Sequence, residues 1–298
     1  MHSKRLLGIG LGILASLLWG ISGPASELLF DHRMTVAWLI SSKMLIAGVV
    51  TMLIAIHQDR GAVWAPWRNR RSALQLIVFI LFGMIAMQYI YFKAVAVANA
   101  PTATILQFLS PVVVMVYVAL QSWQLPRRID VIIVALALLG TLLVVTKGQL
   151  TQLAISPSAL FWGLLAALAA ASYAILPATL LETYSPLTIT AWAQLLGGIV
   201  MTFVRPFWVA PPHLNFLLWS VYAFVVIGGT IIAYLFYLMA MQYISVTAVS
   251  LLDAFEPLGA TLTAVLLMGF HLSWAETLGG VIIVVTVILM SLTEPKQP

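Results

Sequence analysis

The sequence predicts an all-α integral membrane protein with ten transmembrane helices in a 5+5 inverted repeat. Three observations lead there. Of 298 residues, 62% are apolar and only 8% charged, whereas soluble domains carry about 25% charged residues. Apolar runs of about 20 residues, the length of one bilayer crossing, recur along the chain. A polar, proline-broken pattern in the first half returns in the second. The same composition excludes other classes. There is no cysteine, which removes disulfides, thiolate metal sites and cysteine nucleophiles. The net charge of +5 comes from basic residues in short loops, where they act as topology signals, so no nucleic-acid partner is expected.

In order, the first five helices are expected at Leu6–Leu29, Met34–Ile56, Ala73–Ala98, Thr102–Leu120 and Val131–Val145. The first run is too long for the core of a signal peptide and is followed by no small-residue cleavage site, so it stays as a helix. The second five are expected at Ser158–Ala178, Leu187–Phe207, Phe216–Met241, Val246–Met268 and Trp274–Leu292. Two longer linkers remain. Gln58–Ser72 is basic and holds tryptophan, and Lys147–Pro157 divides the chain into repeats 1–148 and 149–298. Trp64, Trp67, Trp123, Trp208, Trp219 and Trp274 fall near helix ends, as interfacial anchors do.

With ten crossings both termini share one side. That side carries Lys4, Arg5, Arg60, Arg68, Arg70, Arg71, Arg127, Arg128 and Lys296, against Arg33, Lys147 and Arg205 on the other. The bias predicts a multi-pass protein of the cytoplasmic membrane with both termini in the cytoplasm.

The repeat is read without a gap by laying Tyr91–Pro111 on Tyr237–Pro257. Tyr91 meets Tyr237, Ala94 meets Ala240, Leu106 meets Leu252 and Pro111 meets Pro257. In this register Gln107 stands where the second half has Asp253, and Ser110 where it has Glu256. A weaker echo at a different offset matches Gly10, Leu11 and Pro24 to Gly163, Leu164 and Pro177. Pro24, Pro111, Pro177 and Pro257 are the candidate hinges, because proline removes a helix hydrogen bond. Five helices per half give the halves opposite orientation, and such repeats commonly build carriers with a site near the midplane.

Asp253 and Glu256 lie one turn apart inside an apolar run, with Pro257 directly after them. Ionised groups at that depth face a cavity or a partner. Asp253 could bind a proton or a cationic substrate, or form a structural pair with Lys43 or Lys93. Lys43 sits near the middle of the second helix, whereas Lys93 lies near the end of the third and can snorkel. Glu27, near the outer end of the first helix, reads as interfacial. Tyr89, Tyr91, Gln107, Tyr173, Tyr234, Tyr237 and Gln242 need polar partners within apolar helices and are candidates to line a cavity. Gly83, Gly197, Gly198, Gly228, Gly229, Gly279 and Gly280 read as close-packing or hinge positions.

These segments together resemble the ten-helix EamA-type members of the drug/metabolite transporter superfamily. The likeness runs through Leu18-Trp19-Gly20, Lys43 to Gly48, Tyr91-Phe92-Lys93-Ala94 on to Ser110-Pro111, Tyr237 to Ala240, Glu256-Pro257 and Leu272-Ser273-Trp274 with Gly279-Gly280. The resemblance implies a two-fold bundle around a central cavity lined by helices one, three, four, six, eight and nine. It implies secondary active export or exchange of small organic metabolites, amino acids or related compounds, driven by protons or by the substrate's own gradient. The implied partners are a small-molecule substrate, protons and the lipid bilayer, with no cofactor. The chain departs from the family where Leu-Gly-Glu is common, reading Gln121-Ser122-Trp123 and Met268-Gly269-Phe270.

Two other classes fit the sequence less well. An intramembrane lipid-modifying enzyme would need a nucleophile elbow or a metal motif, and neither is present. The five histidines do not cluster, and one Asp-x-x-Glu falls short of a divalent-metal site. No metal and no enzymatic activity are therefore expected. A passive facilitator or channel would show a polar stripe along one helix. Here the polar groups gather at proline breaks.

Overall fold

A computed structural model describes residues 2–149, 156–209, 211–259 and 273–293, and no strand occurs among them. The helices are α1 (His2–Asp31), α2 (Val36–Asp59), α3 (Arg70–Val97), α4 (Ala100–Gln107, resumed at Ser110–Ser122) and α5 (Arg128–Thr146). They continue as α6 (Pro157–Ile175), α7 (Pro186–Val204), α8 (Phe216–Ala240), α9 (Val246–Leu252, helical again over 255–259) and α10 (Trp274–Thr293). Among the described residues seven helices are long and apolar enough to cross a membrane: α1, α2, α3, α4, α6, α7 and α8.

Helix starts are written locally. Thr35, Asn69, Asn99, Ser156, Ser185, Asn215 and Ser245 each accept a backbone N–H of the first turn, and Pro157 and Pro186 follow two of these caps directly. A side-chain acceptor there satisfies a donor that the helix itself leaves free, and proline at the start gives up an N–H that has no helical partner. The linker expected over Gln58–Ser72 is itself largely helical, with a 3-10 turn at Arg60–Trp64 and a short helix at Ala65–Arg68.

The proline breaks expected in the fourth and ninth spans are present, and both helices are interrupted. α4 breaks at Phe108 and Leu109, just before Pro111, and α9 breaks at Asp253 and Ala254, just before Pro257. Residues 260–268 of the ninth expected span lie outside the described residues. α1 runs through Pro24 without interruption, whereas Pro177 sits in the turn between α6 and a short helix at Ala178–Leu181.

Contacts between the halves come in matched pairs: α1 packs on α8 as α6 packs on α3, while α2 packs on α7 and α5 on α10. The α2–α7 seam is the tightest. A Cβ on Gly48 would lie 2.3 Å from the Leu195 Cα, and one on Gly198 2.6 Å from the Leu45 Cα. Without a hydrophobic drive between helices in lipid, such backbone approach supplies the packing energy.

α3 and α8 each widen into a π-helical segment, Phe79–Ile85 and Ile227–Ile232. The register that aligns Tyr91 with Tyr237 also aligns Gly83 with Gly229, and both glycines fall within these segments. Widening breaks the usual bonding, so carbonyls become free for other donors. Thr230 Oγ1 takes the Val225 carbonyl at 2.8 Å, and the Trp19 indole of α1 takes that of Gly229 at 3.1 Å.

Candidate functional site

The site forms where α9 and α4 lose helical regularity. Pro257 has no N–H for the Asp253 carbonyl, and Glu256 N–H takes that carbonyl instead at 2.9 Å. Asp253 and Ala254 likewise bond three residues back, at 3.4 and 3.2 Å. The tightened turn sends the two carboxylates to different neighbours. Asp253 Oδ1 accepts from Ser16 of α1 at 3.4 Å. Ser16 has one hydroxyl hydrogen and a nearer acceptor, the Gly12 carbonyl at 3.0 Å. Asp253 is therefore weakly held for a buried acid, with 5% exposure.

Glu256, 3% exposed, turns toward α4. Its Oε1 accepts from Thr104 Oγ1 and its Oε2 from Gln107 Nε2, both at 3.3 Å. Thr104 Oγ1 also meets the Tyr91 hydroxyl of α3 at 3.2 Å. Gln107 Oε1 and Ser110 Oγ are buried with no hydrogen-bond partner among the described residues. Buried acceptors without donors are costly, and they mark a place where water or ligand fits.

Lys43 is 1% exposed and forms no ion pair among the described residues; its Nζ lies 4.1 Å over the Phe92 ring centroid. A cation on an aromatic face is partly compensated for lost hydration, but all three N–H donors stay available. Lys43, Glu256, Gln107, Tyr91, Tyr234 and Trp19 line one cavity of about 20 Å³, room for about one water. Lys93 is half-buried, 6.0 Å from the Trp162 ring centroid, and lies outside that lining.

Beside the cavity the rings of Trp19, Tyr173, Tyr234 and Tyr237 form a buried cluster with centroids 5.0 to 6.3 Å apart. Tyr173 donates to the Tyr234 carbonyl at 3.3 Å, which fixes α6 against α8. Of the residues singled out in the sequence, Asp253, Glu256, Lys43, Gln107, Tyr91, Tyr173, Tyr234 and Tyr237 thus gather in and around one buried centre. Tyr89 is half-buried and does not line the cavity, and Gln242 lies exposed in the turn after α8. Trp19, Ser16 and Thr104 are the contributors that sequence reasoning missed. For Trp19 a signal existed: it lies deep within a helix, unlike the tryptophans near helix ends.

Two further features flank the centre. Glu27 of α1 accepts the Ala100 N–H at the start of α4, at 3.0 Å. At the other end of α4, a groove of about 390 Å³ opens between Ala119, Arg127, Asp130, Thr247 and Leu251, with Arg127 and Asp130 paired at 2.7 Å. Among the described residues no cluster of His, Asp and Glu could hold a metal ion.

A multi-pass helical bundle whose buried ionisable groups collect where two broken helices meet has the build of a membrane carrier. The chain belongs to the EamA-like transporter family, whose pattern matches residues 6–146 and again 157–292. It is thus a membrane transporter by family, as the sequence resemblance implied. It is 32% identical over 291 residues, 96% of this chain and 95% of the other, to the protein described as "Uncharacterized inner membrane transporter YicL" of Salmonella typhimurium (strain LT2). A solved crystal structure superposes with a TM-score of 0.76 at 18% identity, over 96% of this chain and 97% of that one. That likeness concerns the fold alone.

Proposed function

We propose that the chain is a secondary active exporter of amino acids or related small metabolites in the inner membrane, working by alternating access. The observation that carries this reading is a lysine and a glutamate in the lining of one buried cavity. Lys43 and Glu256 both line it, and neither is neutralised by the other. An ammonium and a carboxylate held apart suit a zwitterion, whose own charges replace the lost hydration of both. The inner-membrane location is that given for the Salmonella relative.

The architecture of this reading is ten crossings in two inverted five-helix repeats, 1–148 and 149–298, with both termini cytoplasmic. The two family matches and the reciprocal helix contacts support it. Asp253 and Glu256 carry coupling protons in this scheme, and the breaks at Pro111 and Pro257 supply the give that lets α4 and α9 part. A cavity with room for about one water corresponds to a closed stage of the cycle.

The test is counterflow in proteoliposomes with a panel of amino acids, sugars, nucleosides and organic cations, with and without a pH step. Saturable exchange of amino acids that Glu256→Gln abolishes is the expected result. Exchange confined to organic cations, or unaltered in Glu256→Gln, would sink the reading. Because the natural chain has no cysteine, single cysteines near either terminus report sidedness without background.

A further inference from the structure

The linker between α2 and α3 is built rather than slack. The Trp192 indole of α7 donates to the Val63 carbonyl at 2.8 Å, and its ring meets those of Trp64 and Trp67 at 5.0 and 5.2 Å. Thr188 donates to Asp59 Oδ2 at 2.6 Å, and Val63 is fully buried. The inner side of the linker is thereby pinned to α7. Its outer side carries four arginines, Arg60, Arg68, Arg70 and Arg71, all exposed, and Trp64 is 52% exposed beside them.

Asp59 is the single acid between residues 58 and 72, and it is engaged by Thr188. Among the described residues none of the four arginines is in an ion pair. We infer that this face is a docking surface for the phosphate groups of anionic phospholipids. The linker joins two spans and so lies at headgroup level, where tryptophan is favoured and arginine can grip phosphate through two parallel N–H bonds. Basic clusters directly beside a span gain about 1 kcal/mol per residue from an anionic leaflet. Pinning by Trp192 means that little ordering remains to be done on binding.

Native mass spectrometry of the full chain, titrated with phosphatidylglycerol and with phosphatidylcholine, tests this. Arg68, Arg70 and Arg71 are changed together to Gln; Arg60 is kept because its backbone φ is +47°. Wild type should bind phosphatidylglycerol in preference, and the triple variant should bind it on the order of 100-fold more weakly. An unchanged melting temperature in phosphatidylcholine nanodiscs shows that the variant is folded; if it is not, Arg70→Gln alone is titrated in its place. The inference is overturned by equal binding of the two lipids, by variant binding equal to wild type, or by an equal fall in Arg128→Gln. Displacement of the lipid by millimolar inorganic phosphate would also overturn it, since the site would then be one for free phosphate.

Discussion

α4 and α9 are the same device with different chemistry. Each is a short helix, a break and a proline, and the two align without a gap. Yet α4 brings Thr104, Gln107 and Ser110 to the centre while α9 brings Asp253 and Glu256. The neutral helix donates and the acidic helix accepts. Had both been acidic, two carboxylates would face each other across the bundle, like charges in a medium of low dielectric, a costly arrangement. Duplication therefore supplies the shape twice, and divergence gives the two copies complementary roles.

The largest effect is expected where the complementarity is removed. Glu256→Gln should lower counterflow on the order of 100-fold, since a buried charged partner is worth about 2–5 kcal/mol. Rates per folded protein in proteoliposomes measure it; a rate near wild type would mean that α9 does not act through Glu256.

A contrast between the halves comes next. At Gly229 a Cβ would lie 2.6 Å from Ser22 Cβ on the neighbouring helix α1, whereas at Gly83 the close atoms belong to the Phe79 ring one turn back on the same helix. Gly229→Val should cost about 1–3 kcal/mol of overpacking and Gly83→Val less. Melting temperatures in detergent rank them, and the reverse order would break the comparison.

Asp253→Asn should lower counterflow about tenfold, less than Glu256→Gln, because among the described residues Asp253 has one donor, Ser16, which it shares with the Gly12 carbonyl. Thr104→Val should have the smallest effect, about 1 kcal/mol, since Gln107 still holds Glu256. Substrate affinity by scintillation proximity reads this last change, and a loss as large as that of Glu256→Gln would show that Thr104, not Gln107, sets the carboxylate.

Much of this was legible in the chain. Asp253, Glu256 and Pro257 stand out because charge in an apolar run has one common explanation, and the alignment of Pro111 with Pro257 points to the partner helix. Other parts were hidden for physical reasons. A π segment leaves the apolar pattern unchanged, so Gly228 and Gly229 could be read only as packing or hinge positions. Neutral hydroxyls such as Ser16 and Thr104 are common in spans and give no sign of where they point. Gln88 and Gln194, bonded across α3 and α7 at 3.2 Å, are similarly silent, because amide pairing depends on a crossing that periodicity cannot reveal. A pair between Lys43 and a carboxylate was one reading of the sequence; in the structure the lysine rests on Phe92.

The α2–α7 seam has a further consequence. Gly48 faces Leu195 and Gly198 faces Leu45, positions that differ by the same 150 residues, with no room at either glycine for even a methyl group. Two rods notched into each other at paired points cannot slide lengthwise without lifting apart. In the alternating-access scheme proposed above, the α2–α7 seam is then the fulcrum about which the two repeats turn.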